Sequence, residues 1–117
     1  LFAKVSYDYA YNYVPINNQY PDGLGAEVTS LQGLEILNRE VTLPVHREHL
    51  FNYLWKYPNR FRIGTCNPDD EALAHPELKL DLDTMDDYRR LLHLNVHPDS
   101  SSREIVEAAL ANYRGEK

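Results

Sequence analysis

The alternation of apolar and charged residues over positions 78–83 constrains most strongly how this chain can fold. In an extended strand, alternate side chains lie on the same face. Three leucines are therefore predicted to share a packed face and three charged residues the opposite one: Leu78, Leu80 and Leu82 on the first, and Lys79, Asp81 and Asp83 on the second. The pattern predicts a buried strand with one acidic face.

A helix is predicted to follow this strand immediately. Thr84 is a favourable N-cap residue and Asp87 stands three positions later, which is the spacing of a capping box. In open α/β sheets, ligands bind outside the carboxyl ends of the strands, where Asp83 would stand. Mg²⁺ is held by one or two carboxylates while substrate phosphates complete its shell, so Asp83 is a candidate metal ligand. The alternative is that Asp81 and Asp83 are solvated residues at a strand end.

The composition is typical of one soluble domain. The 117 residues are 43% hydrophobic and include nine tyrosines, and no apolar run approaches the roughly 20 residues of a membrane span. The net charge is -6 and the basic residues are scattered, so neither nucleic acid nor a membrane is an expected partner. Cys66 is the only cysteine, which excludes an internal disulfide and favours a cytoplasmic location.

Strand and helix patterns alternate along the chain. Strands are predicted at residues 7–13, 26–29 and 61–65, and helices at residues 31–38 and 47–57, after Thr84 and from Ser101. Ser30 would cap the first of these helices, and Ser101 with Glu104 has the spacing of a second capping box. Residues 1–5 resemble the last turn of a helix whose start is missing, so the chain is expected to be a fragment. This alternation predicts an α/β fold.

Three blocks stand in an order that is typical of one enzyme family. They are Tyr20-Pro21-Asp22-Gly23-Leu24-Gly25-Ala26-Glu27-Val28, then Arg47-Glu48-His49, then Lys79-Leu80-Asp81-Leu82-Asp83-Thr84 with Asp87-Tyr88. Through these blocks, the chain from about residue 7 to residue 88 resembles the C-terminal half of the cytidylyltransferase-like family. That family includes spore coat polysaccharide biosynthesis protein F and, more distantly, the CMP-sialic acid and CMP-Kdo synthetases.

The resemblance implies a nucleotide-diphosphosugar transferase fold, which is Rossmann-like and has a mixed, mostly parallel sheet between helices. Enzymes of the family attack the α-phosphate of CTP with a sugar oxygen and release pyrophosphate. The expected substrates are therefore CTP and a sugar or sugar acid, in polysaccharide biosynthesis. The glycine-rich nucleotide half would precede these residues, so residues 1–117 are expected to be a single domain that forms half of a larger one.

The resemblance also implies roles for individual residues. Asp83 corresponds to an aspartate that the synthetases use as a metal ligand, and it is the expected catalytic residue. Mg²⁺ held there would neutralise charge on the phosphate under attack. Asp81 would help to hold the same ion, and a structural role for it is an equal alternative. Four residues are expected to bind the sugar: Asp22, Glu27, Arg47 and His49.

Three of these four residues also have a simpler interpretation. Asp22 is a common turn residue, Glu27 could pair with a lysine, and Arg47 could be a surface charge at a helix start. His49 is expected beside Arg47, near the same helix start. Gly25 departs from the family pattern, which commonly has an aspartate there, so the sugar stays unidentified.

The opposing hypothesis is a non-catalytic binding module. Without a nucleotide half, the chain would leave strand edges exposed, and such edges pair readily with a second copy. This hypothesis predicts a homodimer that does not respond to nucleotides.

Overall fold

The computed structural model describes residues 6–115, which form two compact units. The first unit consists of residues 6–11 and 27–65, and the second of residues 12–26 and 66–115. The helical turn predicted for residues 1–5 lies outside the described residues, and the expectation of a single domain stays a prediction. Within residues 6–115, no helix has the length and apolar character needed to cross a membrane.

A three-stranded mixed sheet forms the centre of the first unit. Its strands are β1 (Tyr9–Tyr11), β2 (Glu27–Thr29) and β3 (Ile63–Thr65), in the spatial order β2-β1-β3. β1 pairs antiparallel with β2 and parallel with β3, and all three residues of β1 are buried. Each strand lies inside a predicted segment, and the mixed sheet with its flanking helices confirms the α/β class.

Helix α1 (Leu31–Glu40) begins where the sequence predicts and extends beyond the predicted end at residue 38. The Ser30 hydroxyl accepts a hydrogen bond from Gly33 N at 3.0 Å, which caps the helix. Leu37 on this helix is fully buried, as is Val41 directly after it. The cap and the buried face therefore fix the start and the orientation of α1.

The single helix predicted for residues 47–57 is wrong, because two short helices stand there instead. They are α2 (Pro44–Glu48) and α3 (Asn52–Lys56), and the chain leaves the helical region at His49, with φ -112° and ψ 76°. Beyond this break, the Phe51 ring stacks on Tyr9 with 5.0 Å between centroids. Packing against β1 therefore decides how this segment folds, although its apolar period is helical.

Two longer helices dominate the second unit, α4 (Met85–Leu92) and α5 (Ser102–Gly115). Both predicted capping boxes are present. The box at Thr84 is complete: the Thr84 hydroxyl accepts a hydrogen bond from Asp87 N, and the Asp87 carboxylate accepts one from Thr84 N. In the other, Ser101 N donates to Glu104 Oε2 at 2.6 Å. These caps start each helix at the position that the sequence predicts.

The core of the second unit joins α5 to the segments that precede it. Four buried side chains form this core: Leu78, Leu94, Val106 and Ala109. Arg103 of α5 also donates three hydrogen bonds to the Asp70 carboxylate, at 2.8, 2.9 and 3.1 Å, where a 3₁₀ turn (Glu71–Leu73) begins. The ion pair is partly exposed, so burial of the four apolar side chains contributes more to stability.

The buried strand predicted for residues 78–83 is wrong. The segment makes a single parallel bridge, between Lys79 and Asp22, and pairing ends at Leu80. Leu78 is buried as predicted, whereas Leu82 is 59% exposed. The alternation of buried and exposed side chains ends after Leu80, because the neighbouring segment pairs only at Asp22.

Candidate functional site

Lys79 lies among three carboxylates in the second unit. Its Nζ atom is 2.9 Å from Asp81 Oδ1, 3.4 Å from Asp83 Oδ2 and 3.3 Å from Asp87 Oδ2. These four residues form what we name the Lys79 cluster. The carboxylates, Asp81 first, raise the pKa of the Lys79 ammonium above its ordinary value. Lys79 thus contacts both aspartates that the alternating pattern placed with it, although the segment is not a strand.

Asp87 connects the Lys79 cluster to the start of α4. Its Oδ2 atom accepts hydrogen bonds from Asp83 N at 3.1 Å and from Thr84 N at 2.8 Å, and its Oδ1 atom accepts one from Arg90 Nη2 at 2.7 Å. Arg90, followed by Thr84, holds the pKa of the Asp87 carboxyl well below its usual range. Asp87 is 7% exposed. It is a fixed anion that positions the backbone of Asp83.

A backbone bridge places Asp22 next to Asp81. Asp22 N donates to Leu78 O at 3.0 Å, and Leu80 N donates to Asp22 O at 2.7 Å. Partial burial, followed by the negative charge of Asp81, raises the pKa of the Asp22 carboxyl. Burial is also the largest single influence on Asp81 and acts in the same direction, but hydrogen bonds with Lys79 and Asp83 and the charge of Lys79 together outweigh it, so the pKa of Asp81 lies below its ordinary value. The structure thus brings together Asp22 and Asp81, which the sequence predicted as site residues.

Asp81 and Asp83 provide the oxygen donors that Mg²⁺ prefers. Asp81 Oδ1 is buried and, within the described part of the chain, no donor meets it in hydrogen-bond geometry. The Asp83 side chain is 71% exposed and reaches Lys79 only at 3.4 Å. These two carboxylates therefore fit a divalent ion. No group of three His, Cys, Asp or Glu side chains in residues 6–115 could hold a metal, so such an ion would need further ligands from a substrate.

Gly23 allows the segment around Asp22 to approach this site closely. Its φ angle is +85°, and a Cβ atom there would lie 2.5 Å from Asp81 N and 2.8 Å from Leu80 C. Because an alanine would be strained at this φ and would press on backbone atoms, we expect Gly23→Ala to lower the free energy of unfolding by about 2 kcal/mol or more. Urea denaturation measures the change.

Gly115→Ala is the matched control for this prediction. A Cβ atom at Gly115 meets nothing within 4 Å, so the free energy of unfolding should change by less than about 0.5 kcal/mol. If Gly23→Ala were as stable as the control, the close approach to Asp81 would not require a glycine.

Glu27, Arg47 and His49 lie in the first unit, where all three are exposed. Glu27 accepts a hydrogen bond from the Tyr9 hydroxyl at 2.6 Å, and no lysine pairs with it among the residues described. Arg47 donates to the side-chain and backbone oxygens of Asn38, at 3.2 and 3.0 Å. Each residue is accessible to a substrate, and its part in sugar binding stays a prediction.

The expected location of His49 at a helix start is wrong. His49 is the C-cap residue of α2, and its N–H donates to Val45 O at 3.0 Å. The helix starts at Pro44, before Arg47, because proline is favoured in the first turn of a helix. His49 and Arg47 therefore lie at the carboxyl end of α2.

Gly25 has a structural reason to differ from the family pattern. A Cβ atom there would lie 2.4 Å from Asn12 O and 2.5 Å from Asn12 Oδ1. Asn12 is itself fixed, since its Oδ1 atom accepts a hydrogen bond from Ala26 N at 2.8 Å. An aspartate at position 25 would have to displace this backbone, so the local structure requires the glycine.

A cavity of about 180 Å³ lies beside the core of the second unit. Its walls are mainly apolar and include the core residues Leu78, Leu94 and Ala109, together with Lys79 and Arg90. None of the site residues predicted from the sequence lines it, although Lys79 of the Lys79 cluster does.

Two partners of the site residues were not predicted from the sequence. Arg90 follows Asp87 at the i, i+3 spacing of a helix, so its ion pair could have been predicted from the sequence. The contact between Tyr9 and Glu27 depends on the pairing of β1 with β2, in which Tyr11 stands opposite Glu27. No local pattern reveals that register.

Known proteins resemble this chain in sequence and in structure, although no family model matches it. It is 31% identical over 77 residues to the uncharacterised protein MJ1063 of Methanocaldococcus jannaschii, a match that covers 66% of the chain and 31% of that protein. Its structure is similar to a cytidylyltransferase from Leptospira borgpetersenii serovar Hardjo-bovis (strain JB197), with a TM-score of 0.75 and 21% identity. That similarity covers 92% of the chain and 44% of the other. The chain thus spans less than half of either protein, and it has the α/β fold of part of a cytidylyltransferase.

Proposed function

We propose that these residues form the sugar-binding and metal-completing half of a cytidylyltransferase. The complete enzyme would activate a sugar or sugar acid with CTP in the cytoplasm, for polysaccharide biosynthesis. A sugar hydroxyl would lose its proton and bond to the α-phosphorus of CTP, while the bond to the β-phosphate breaks and pyrophosphate leaves. The similarity of the fold to a solved cytidylyltransferase supports this class of reaction.

The observation that carries the proposal is the position of the Asp83 carboxylate. It is exposed, it shares the Lys79 ammonium with the buried Oδ1 of Asp81, and its backbone N–H donates to Asp87. Bound Mg²⁺ would supply positive charge to the phosphate under attack. Asp83 and Asp81 would provide oxygen ligands, and Asp87 would keep Asp83 in place.

The sugar side would be formed by the remaining predicted residues. An exposed arginine such as Arg47 can pair with the carboxylate of a sugar acid through two parallel hydrogen bonds. Glu27 can accept hydrogen bonds from sugar hydroxyls, and Tyr9 already fixes its side chain. Asp22 and His49 complete the proposed set.

Nucleotide binding by the full-length protein tests the proposal. With Mg²⁺ present, CTP at about a hundred times its dissociation constant should stabilise the folded protein by about 2.7 kcal/mol. Thermal denaturation measures this as a raised melting temperature, with ATP as the control nucleotide. Pyrophosphate release on addition of sugars would then identify the acceptor.

The opposing hypothesis, a dimerisation module, is favoured by one observation. β2 and β3 each pair only with β1 among the described strands, so each leaves an edge on which a second copy could add a strand. A dimer of constant mass in gel filtration at all concentrations, together with no melting-temperature shift from any nucleotide, would support that hypothesis and contradict the enzyme.

A further inference from the structure

We propose that Lys79 is the resident cation of the Lys79 cluster in the free protein, and that a divalent ion reaches Asp81 and Asp83 only by displacing the Lys79 ammonium. This inference rests on the proposed function, because that function requires a divalent ion at these carboxylates. It adds that Lys79, a side chain of the protein itself, competes with the divalent ion for these carboxylates.

The geometry places the ammonium where the ion would have to bind. Lys79 Nζ lies closest to Asp81 Oδ1, at 2.9 Å, which is the buried oxygen that lacks an aligned hydrogen bond. It also lies 3.4 Å from Asp83 Oδ2. The ammonium and a divalent ion would therefore need the same two oxygens.

The charges of the cluster explain why a cation is needed there before any substrate arrives. Asp87 has Arg90 as a second cation, at 2.7 Å, and stays neutralised if Lys79 leaves. Among the described residues, Lys79 is the one cation paired with Asp81 or Asp83. Without it these two carboxylates would repel each other, so Lys79 fills the site until a stronger cation replaces it.

The Lys79 side chain is able to leave. It is 46% exposed, and its flexible four-carbon stem carries a compact charge that binds phosphates well. Once displaced, the ammonium would be free to pair with phosphate groups of a bound nucleotide. Exchange of Lys79 for a metal ion would then accompany substrate binding.

Mn²⁺ binding to the full-length protein tests the inference, measured from the electron paramagnetic resonance signal of free Mn²⁺. We expect Lys79→Met to bind Mn²⁺ about tenfold more tightly than the wild-type protein, because the competing charge is gone. Lys79→Gln keeps a hydrogen-bond donor near Asp81 and should show a smaller gain of the same sign. It carries the test if the methionine variant does not fold, which circular dichroism would reveal.

Two further variants separate competition from a general change in charge. Arg89→Met removes one positive charge from the exposed pair with Asp86 and should alter Mn²⁺ affinity by less than about twofold. In Lys79→Met/Asp83→Asn the gain should disappear. Equal affinity in wild type and both Lys79 variants, or a gain that persists in the double variant, would overturn the inference.

The two proposals fail in different ways. If CTP binds but the Lys79 variants gain no Mn²⁺ affinity, the exchange is refuted and the proposed enzyme stands. If Lys79→Met gains affinity while no nucleotide binds, the exchange stands and the proposed enzyme is refuted.

Discussion

Replacement of Asp83 by asparagine in the full-length protein is expected to lower turnover by at least about a hundredfold while the fold is kept. The amide has nearly the same shape as the carboxylate, but it carries no negative charge with which to hold a divalent ion beside the phosphate. The Asp83 side chain is 71% exposed and its ion pair with Lys79 is 3.4 Å long, so the substitution should leave the packing intact. Steady-state release of pyrophosphate from CTP measures the effect.

Asp86→Asn provides the matched control for this variant. Asp86 lies in the first turn of α4, pairs with Arg89 and has an exposed side chain. The substitution makes the same change of charge close to Asp83, and turnover should stay within about threefold of wild type because an exposed charge is screened. Turnover of Asp83→Asn equal to this control, with an unchanged circular dichroism spectrum, would remove Asp83 from the mechanism.

Replacement of Tyr9 by alanine is expected to lower the free energy of unfolding by about 3 to 5 kcal/mol, the range for large aromatic residues in cores. Tyr9 is fully buried at the centre of the sheet. Its ring stacks on Phe51 at 5.0 Å and meets Trp55 edge-on at 6.0 Å. Trp55 is the single tryptophan of the 117 residues, so its fluorescence in urea reports the unfolding of the first unit.

Two control variants accompany this prediction: one separates the ring from the hydroxyl of Tyr9, and the other removes an exposed tyrosine. Tyr9→Phe keeps the ring and removes the hydroxyl that donates to Glu27, which should cost about 1 kcal/mol. Tyr88→Ala removes a half-exposed tyrosine from α4 and should cost less than about 0.5 kcal/mol. If Tyr9→Ala lost no more stability than Tyr9→Phe, the stacked rings would not stabilise the first unit.

Local signals predicted the starts of α1, α4 and α5. Thr84 with Asp87 and Ser101 with Glu104 both form the expected capping boxes, because a capping box is completed within one turn of the helix. The three strand positions were also predicted, since each has a short run of apolar or aromatic residues between turn residues.

Non-local contacts account for the errors. The predicted strand over residues 78–83 lacks a partner beyond Asp22, and the predicted helix over residues 47–57 breaks at His49. Both segments have the periodic apolar pattern, but the pattern alone does not determine which other segment lies beside it to pair or pack with. The contact of Tyr9 with Glu27 was missed for the same reason.

The candidate site divides in the same way between sequence and structure. The sequence by itself predicted that Lys79 lies with Asp81 and Asp83, and it determined that Asp87 caps the following helix, because neighbouring residues on an extended segment or a helix turn meet through local geometry. Only the tertiary structure decided that Asp22 lies beside Asp81, that Asp81 Oδ1 is buried, and that the Lys79 ammonium contacts all three carboxylates. Those relations depend on how distant segments pack, and burial then sets how strongly the charged groups interact.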